Sequence, residues 1–95
     1  MDINSWVTGH HVFQHVWSPV IAEVLVCRRE VGNEYDPFAV GVFRQGILVG
    51  RVPREHSRHF YELLGVGTAI YCTVTGPREN QRRRGLEVPC VYQSE

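Results

Sequence analysis

The sequence predicts a mainly β domain with one or two helices, folded as a small, partly open barrel in the order β-β-β-β-α-β-β. Short runs rich in β-branched residues alternate with glycine, proline and asparagine turn signals along most of the chain. One stretch, beginning near residue 53, changes to a helical period. With 95 residues the chain can build a single modest core, so we expect one domain over residues 1–95.

Four strands are predicted in the first half of the chain. Polar and apolar side chains alternate loosely from Trp6 to Phe13, which indicates a first strand. The run VIAEVLVCRRE (20–30) is β-branched and contains no glycine or proline, so it is the clearest strand. After the turn VGNEYDP, the runs FAVGVFR (38–44) and ILVGRV (47–52) flank Gln45-Gly46, which favours a hairpin.

A helix and two strands are predicted in the second half. In PREHSRHFYELLG, Pro53 occupies the first helical position and Gly65 lies past the end. Its core-facing side is Ser57, Phe60, Leu63 and Leu64. The strands GTAIYCTVTG (67–76) and LEVPCVYQ (86–93) follow. The segment PRENQRRRG (77–85) between them reads as an exposed charged loop, and Pro89 favours an edge strand or a bulge.

The composition excludes several classes of protein. No run approaches the roughly 18 apolar residues of a membrane span, and the first twenty residues show no secretory signal. Cys27, Cys72 and Cys90 stand in apolar surroundings, so we interpret them as buried free thiols in a reducing compartment. One disulfide with a spare thiol is the alternative. A zinc knuckle is excluded because there is no Cys-x-x-Cys pair.

The charges are unevenly distributed along a chain whose net charge is zero. Residues 1–42 carry two arginines and five acids, residues 43–84 carry eight arginines and three acids, and residues 85–95 carry two acids. All ten cationic side chains are arginine. Because arginine recognises phosphate with a planar fork and stacks on bases, the middle of the chain indicates a basic face.

The stretch CRREVGNEYDPFAVGVFRQGILVGRVPRE resembles the core signature of the HIRAN domain family. The resemblance is carried by a strand ending in Arg-Glu, then Asn-x-Tyr-Asp-x-x-Ala-Val, a hairpin, Val-Gly-x-x-Pro-Arg-Glu and a helix. It covers roughly residues 25–64, and the order of elements extends it over nearly the whole chain.

The resemblance implies a barrel similar to the oligonucleotide-binding fold, which grips the 3′ end of single-stranded DNA. In that family the module lies mostly at the amino terminus of SNF2-type translocases that remodel stalled replication forks, and free-standing copies occur. We therefore expect a DNA-repair context, a nuclear or intracellular location, and a monomer. The expected partners are a single-stranded DNA 3′ end and a SNF2-type ATPase in cis or other repair proteins.

The resemblance assigns the end-recognition role to Tyr35 and Asp36. A carboxylate accepts a hydrogen bond from a terminal hydroxyl and repels a phosphate in the same place. An aromatic ring stacks on the terminal nucleotide and contributes about 1–3 kcal/mol. The alternative is structural: Asp36 caps its own turn and Tyr35 packs on the barrel.

Phosphate contacts are expected at the corner between the fourth strand and the helix. Arg51 and Arg54 flank Pro53 there, and a helix amino terminus carries N–H groups and partial positive charge. Arg58, one turn further along, extends this patch or pairs with Glu62. Two solvated surface arginines are the alternative reading for the corner.

The first strand departs from the family, which carries an aromatic or basic pair after a glycine there. In TGHHVFQH this alignment puts His11 and Val12 at those positions, so His11 or Phe13 would have to replace the missing ring. Thr75 is a second departure, because the family can carry an aromatic residue there.

Metal and enzyme readings are weak. His10, His11 and His15 are close in sequence, but on a strand their side chains would not share one side. No nucleophile motif, phosphate-binding loop or paired-carboxylate site is present, so we expect no metal, no cofactor and no enzyme activity. The leading hypothesis is a binder of single-stranded DNA 3′ ends. The alternative is a protein-interaction domain on the same fold that has lost DNA-end binding.

Overall fold

The computed structural model describes residues 1–81 and 85–95, which form seven strands and two helices. The strands are β1 (Asp2–Val7), β2 (Val24–Arg29), β3 (Val40–Arg44), β4 (Ile47–Arg51), β5 (Ile70–Val74), β6 (Glu79–Gln81) and β7 (Gly85–Ser94). The helices are α1 (His10–Phe13) and α2 (Arg54–Gly65).

The sheet is antiparallel and curls into a half-barrel. Its strand order is β1-β7-β5-β2-β3-β4, with β6 added to β7. The two outer strands of this order come back together at one point, where Thr8 and Arg51 form an isolated antiparallel bridge. This arrangement confirms the mainly β fold class, and its strand order is roughly consistent with a small barrel similar to the oligonucleotide-binding fold.

Helix α2 closes the core of the half-barrel. Ser57 and Phe60 are buried, and Leu63 and Leu64 are partly buried, so the predicted core-facing side is confirmed. The Phe60 ring meets the buried Tyr92 ring edge to face at 5.2 Å. Burying one such side chain stabilises the fold by about 1.5–3 kcal/mol. The helix is therefore fixed against the sheet, and its amino terminus has a defined position.

The prediction of a first strand from Trp6 to Phe13 is wrong. Strand β1 ends at Val7, and Gly9, with φ of +78°, turns the chain into the short helix α1. A positive φ costs glycine little, so Gly9 ends the strand where alternation alone predicted that it continues. His11 and Phe13 therefore lie on α1, and His10 and His11 do not occupy opposite faces of a strand as predicted.

Two predictions about the last strands also need correction. The segment 77–85 is not simply a loop, because β6 pairs with the start of β7; residues 82–84 of that segment lie outside the described chain. Pro89 is not on an edge, because β7 runs between β1 and β5. The β5–β7 ladder ends at Val74 and Cys90, next to Pro89. The missing N–H of proline is thus tolerated where the neighbouring strand stops.

The three cysteines are buried free thiols, as predicted. Burial raises the pKa of the Cys27 thiol to about 12, which makes it a poor nucleophile at neutral pH.

Within residues 1–81 and 85–95, no helix is long and apolar enough to cross a membrane. The same residues contain no group of three or more histidine, cysteine or acidic side chains placed to hold a metal ion.

Candidate functional site

A cleft of about 650 Å³ opens between the turn before β3, the end of β4 and the start of α2. Four of the site residues expected from the sequence line it together: Tyr35, Asp36, Arg51 and Arg54. The other lining residues are Thr8, Asn33, Ala39, Val40, Val52, Pro53 and Glu55. The cleft therefore combines an exposed ring, a carboxylate and two guanidinium groups.

Asn33 stabilises the turn that carries Tyr35. The Oδ1 atom of Asn33 accepts hydrogen bonds from the backbone N–H groups of Tyr35, at 2.8 Å, and Asp36, at 3.0 Å. Asparagine favours such turns because its side chain can bond the backbone two residues on. The Tyr35 side chain is left pointing outward with 87% of its surface exposed. Its ring is therefore free to stack on a ligand.

The Asp36 carboxylate is divided between two roles. Its Oδ1 atom accepts a hydrogen bond from the Phe38 N–H at 2.9 Å, so the residue does cap its own turn. Its Oδ2 atom lies 3.9 Å from Nε of Arg54, and the side chain is 20% exposed. A carboxylate has about four lone-pair sites, so these contacts leave acceptor capacity for a hydroxyl.

Arg51 is fixed by a two-point ion pair that the sequence did not indicate. Its Nε and Nη2 atoms donate to the two carboxylate oxygens of Glu30 at 2.7 and 2.9 Å. The hydrogen bond to Glu30 is the main cause that raises the pKa of Arg51. Glu30 uses two of the five guanidinium N–H groups. The remaining donors can bind a phosphate, but half-buried Glu30 offsets much of the positive charge.

The backbone around Arg51 closes the half-barrel at the edge of the cleft. Thr8 and Arg51 exchange backbone hydrogen bonds of 2.8 and 3.1 Å, and the Thr8 hydroxyl donates to the Arg51 carbonyl at 3.0 Å. Gly50 lets the strands approach this closely, because a Cβ atom there would overlap the Val7 side chain. We call this contact between Thr8 and Arg51 the seam. One wall of the cleft is thus a product of barrel closure.

Arg54 is the more available cation. Its side chain is 77% exposed, and its contacts with Asp36 and with the Tyr35 carbonyl, 3.4 Å from Nη2, are long. It begins α2, whose amino terminus opens at the cleft beside Pro53. A helix amino terminus contributes partial positive charge, so Arg54 and the helix both favour an anion on the same side of the cleft.

The remaining site residues expected from the sequence, His11, Phe13 and Arg58, do not line the cleft. The Phe13 ring lies 5.9 Å from the Arg51 guanidinium, so α1 touches the site through this contact. His11 is exposed and lies next to Gly85 at the start of β7, outside the cleft lining. Arg58 donates to Glu62 at 3.2 Å, one of the two roles expected for it. Of the two departures from the family, Val12 is 55% exposed on α1 and Thr75 is exposed after β5.

Sequence reasoning missed three contributors to the site. Asn33 was read as a turn residue, although it positions both Tyr35 and Asp36. Glu30 and Thr8 act through Arg51, from which they are separated by 21 and 43 residues. Only the Asn-x-Tyr-Asp spacing could have indicated Asn33. The other two depend on the pairing of distant strands.

Comparisons with known proteins agree with this architecture. The chain is similar to a crystal structure of a protein from Lactobacillus plantarum, with a TM-score of 0.66 and 20% identity, over 100% of this chain and 97% of that one. At this identity the likeness shows the fold alone. No curated protein gives a match. A family model described as HIRAN domain matches residues 5–92.

Proposed function

Because this chain belongs to the HIRAN domain family, a DNA-binding family rather than a catalytic one, we propose that it binds the 3′ end of single-stranded DNA in the cleft. The observation that carries the proposal is the convergence of Tyr35, Asp36, Arg51 and Arg54 on one open cleft. These four side chains come from a turn, a strand and a helix, so only the folded chain brings them together.

Asp36 would distinguish a free end from a continuing strand. Its Oδ2 atom can accept the hydrogen bond of a 3′-hydroxyl, whereas a phosphate in the same place would be repelled by the carboxylate. The bond from Phe38 to Oδ1 holds the carboxylate in one orientation and so favours this discrimination. The turn-capping role and the recognition role are therefore compatible.

Tyr35, Arg54 and Arg51 would hold the terminal nucleotides. The exposed Tyr35 ring offers a stacking surface that any base can use. Arg54 and the α2 amino terminus would bind a phosphate, and the donors of Arg51 that Glu30 leaves unused would bind a second. This chain has Val12 and Thr75 at positions where the family can carry aromatic rings. Base stacking would therefore depend more on Tyr35 here than in the family pattern.

The biological setting is part of the same proposal. A module of this family fits a replication-fork or DNA-repair role in the nucleus, with a SNF2-type ATPase in cis or another repair protein as its partner. The domain would act as a monomer over residues 1–95, the state that we expect from the sequence.

A protein-interaction domain is the second candidate, and one observation favours it. Val20, Ile21 and Val24 expose 63%, 59% and 61% of their surface in and before β2. Neighbouring exposed aliphatic side chains are typical of protein contact sites. In this case the cleft would no longer bind DNA ends, and the ion pair between Arg51 and Glu30 would serve only to stabilise the fold.

Fluorescence anisotropy separates these functions. A short single strand labelled at its 5′ end is compared with the same strand bearing a 3′-phosphate. Tighter binding of the hydroxyl form supports end recognition through Asp36. Equal binding of both forms would indicate a generic basic groove, and binding of neither would favour the protein-interaction domain.

A further inference from the structure

Two arginines flank a pair of aromatic rings in a row outside the cleft. The Arg58 guanidinium lies over the Phe38 ring at 4.9 Å, and the Arg29 guanidinium lies over the Tyr61 ring at 4.8 Å. The two rings meet edge to face at 5.6 Å. We call these four side chains the ladder. It joins β2, the segment before β3 and α2 on one surface.

The ladder starts where the cleft ends. Phe38 follows Asp36 by two residues, and Arg58 is one helical turn beyond Arg54. Asp36 and Arg54 both line the cleft. From there the row continues along α2 to Tyr61 and then to Arg29, the last residue of β2. A chain leaving the cleft on this side would therefore pass directly over the ladder.

The ladder carries excess positive charge. Among residues 1–81 and 85–95, the exposed side chain of Arg29 has neither an ion pair nor a hydrogen bond. Arg58 is paired with Glu62, but both side chains are highly exposed, at 72% and 62%. Exposed pairs of this kind contribute only about 0–1 kcal/mol, so a phosphate can replace Glu62 as the partner.

The contacts with the rings favour nucleic acid over an acidic peptide as the ligand. A ring contact orients a guanidinium without consuming its N–H donors, which remain available to phosphate oxygens. Cationic side chains next to aromatic rings are the combination that binds single strands without base preference, because the cations bind phosphates and the rings contact bases.

We propose that the ladder is a second contact for the DNA strand, binding phosphates of the nucleotides on the 5′ side of the terminal ones in the cleft. The proposal rests on the proposed function for its ligand. It adds a binding surface, formed by Arg29 and Arg58, that affects long strands and not the end itself. Affinity should therefore grow with strand length beyond what the cleft can hold.

The test compares strands of three and ten nucleotides, both with a 3′-hydroxyl, by titration calorimetry at several salt concentrations. The double variant Arg29→Gln, Arg58→Gln is expected to lose the extra affinity of the longer strand. Its log–log salt slope for that strand should decrease by about 1.4, at about 0.7 for each phosphate contact. Its affinity for the trinucleotide should not change. Arg44→Gln is the matched control, because Arg44 is an exposed arginine paired with Glu23, away from the ladder.

Other results would refute either the ladder proposal alone or the proposed function as well. If the double variant keeps the full length dependence, or loses affinity equally for both strands, the ladder proposal is wrong while end binding stands. If the wild-type protein binds neither strand, the proposed function fails and the ladder with it. The variant Arg29→Lys, Arg58→Lys keeps both charges and should retain the salt slope. Thermal unfolding of all variants identifies any loss of folding.

Discussion

Replacing Asp36 by Asn tests the chemical basis of end recognition with almost no change in shape. The Asn Oδ1 atom can still accept the hydrogen bond of the Phe38 N–H, so the turn should remain intact. The negative charge that faces the cleft is removed. We expect the variant to bind strands ending in a 3′-hydroxyl and a 3′-phosphate with similar affinity.

The size of the effect follows from Coulomb's law. A phosphate charge about 4 Å from the Asp36 carboxylate is repelled by about 1 kcal/mol in bulk water and about 4 kcal/mol at an effective dielectric constant of 20. Asp36 is 20% exposed, and Arg54 lies 3.9 Å from it and attracts the same phosphate. The burial of Asp36 raises the repulsion above the bulk-water value, and the attraction to Arg54 keeps it well below the upper value. The wild-type preference for the hydroxyl should be roughly 5-fold to 50-fold, since 1.4 kcal/mol is tenfold.

The assay is competition anisotropy at constant salt, with both unlabelled strands displacing the same labelled probe. Asp2→Asn is the control, because it makes the same chemical change at an exposed position at the start of β1. If the ratio of the two affinities in Asp36→Asn stays at the wild-type value, the carboxylate does not sense the end of the strand and the proposed role of Asp36 is refuted.

Four further predictions concern single residues. Tyr35→Ala should weaken binding of single-stranded DNA by about 1–3 kcal/mol, the contribution of one stacked base, and an unchanged Kd would remove Tyr35 from the site. Arg54→Ala should lower the log–log salt slope of DNA binding by about 0.7, so a wild-type slope would place it off the phosphate path. Gly50→Ala should lower the free energy of unfolding in urea by about 1–3 kcal/mol, because the new methyl group overlaps Val7; equal stability would contradict the close approach. Burial lowers the pKa of His10 from 6.5, so wild-type stability should fall as the pH drops below about 6.5, and His10→Gln should show a flatter dependence.

Helix α2 could be predicted from the sequence because its determinants are local. Pro53, the spacing of Ser57 and Phe60, and the glycine after the last turn act within a few residues of one another. The structure moves its boundaries by one residue: Pro53 precedes the helix and Gly65 is its last residue. The turn at Tyr35 and Asp36 was predicted for the same reason, since Asn33 and Pro37 are its neighbours.

What the sequence missed depends on contacts between distant segments. The pairing of Glu30 with Arg51 requires β2, β3 and β4 to lie side by side, and no spacing along the chain indicates it. The helix α1 has only four residues, too few for a period to be read, and Gly9 was the only local sign. The partial neutralisation of Arg51 therefore could not be predicted.

The seam between Thr8 and Arg51 links the dynamics of the fold to occupancy of the cleft. It joins two outer strands through very few hydrogen bonds. It should therefore open locally more often than the pairings between interior strands and exchange its amide hydrogens faster. Both residues line the cleft, so a ligand that binds only the closed form would slow that exchange in proportion to its concentration over Kd. The amides of Thr8 and Arg51 thus form a built-in reporter: their protection would measure DNA binding without a label, at the point where the barrel closes.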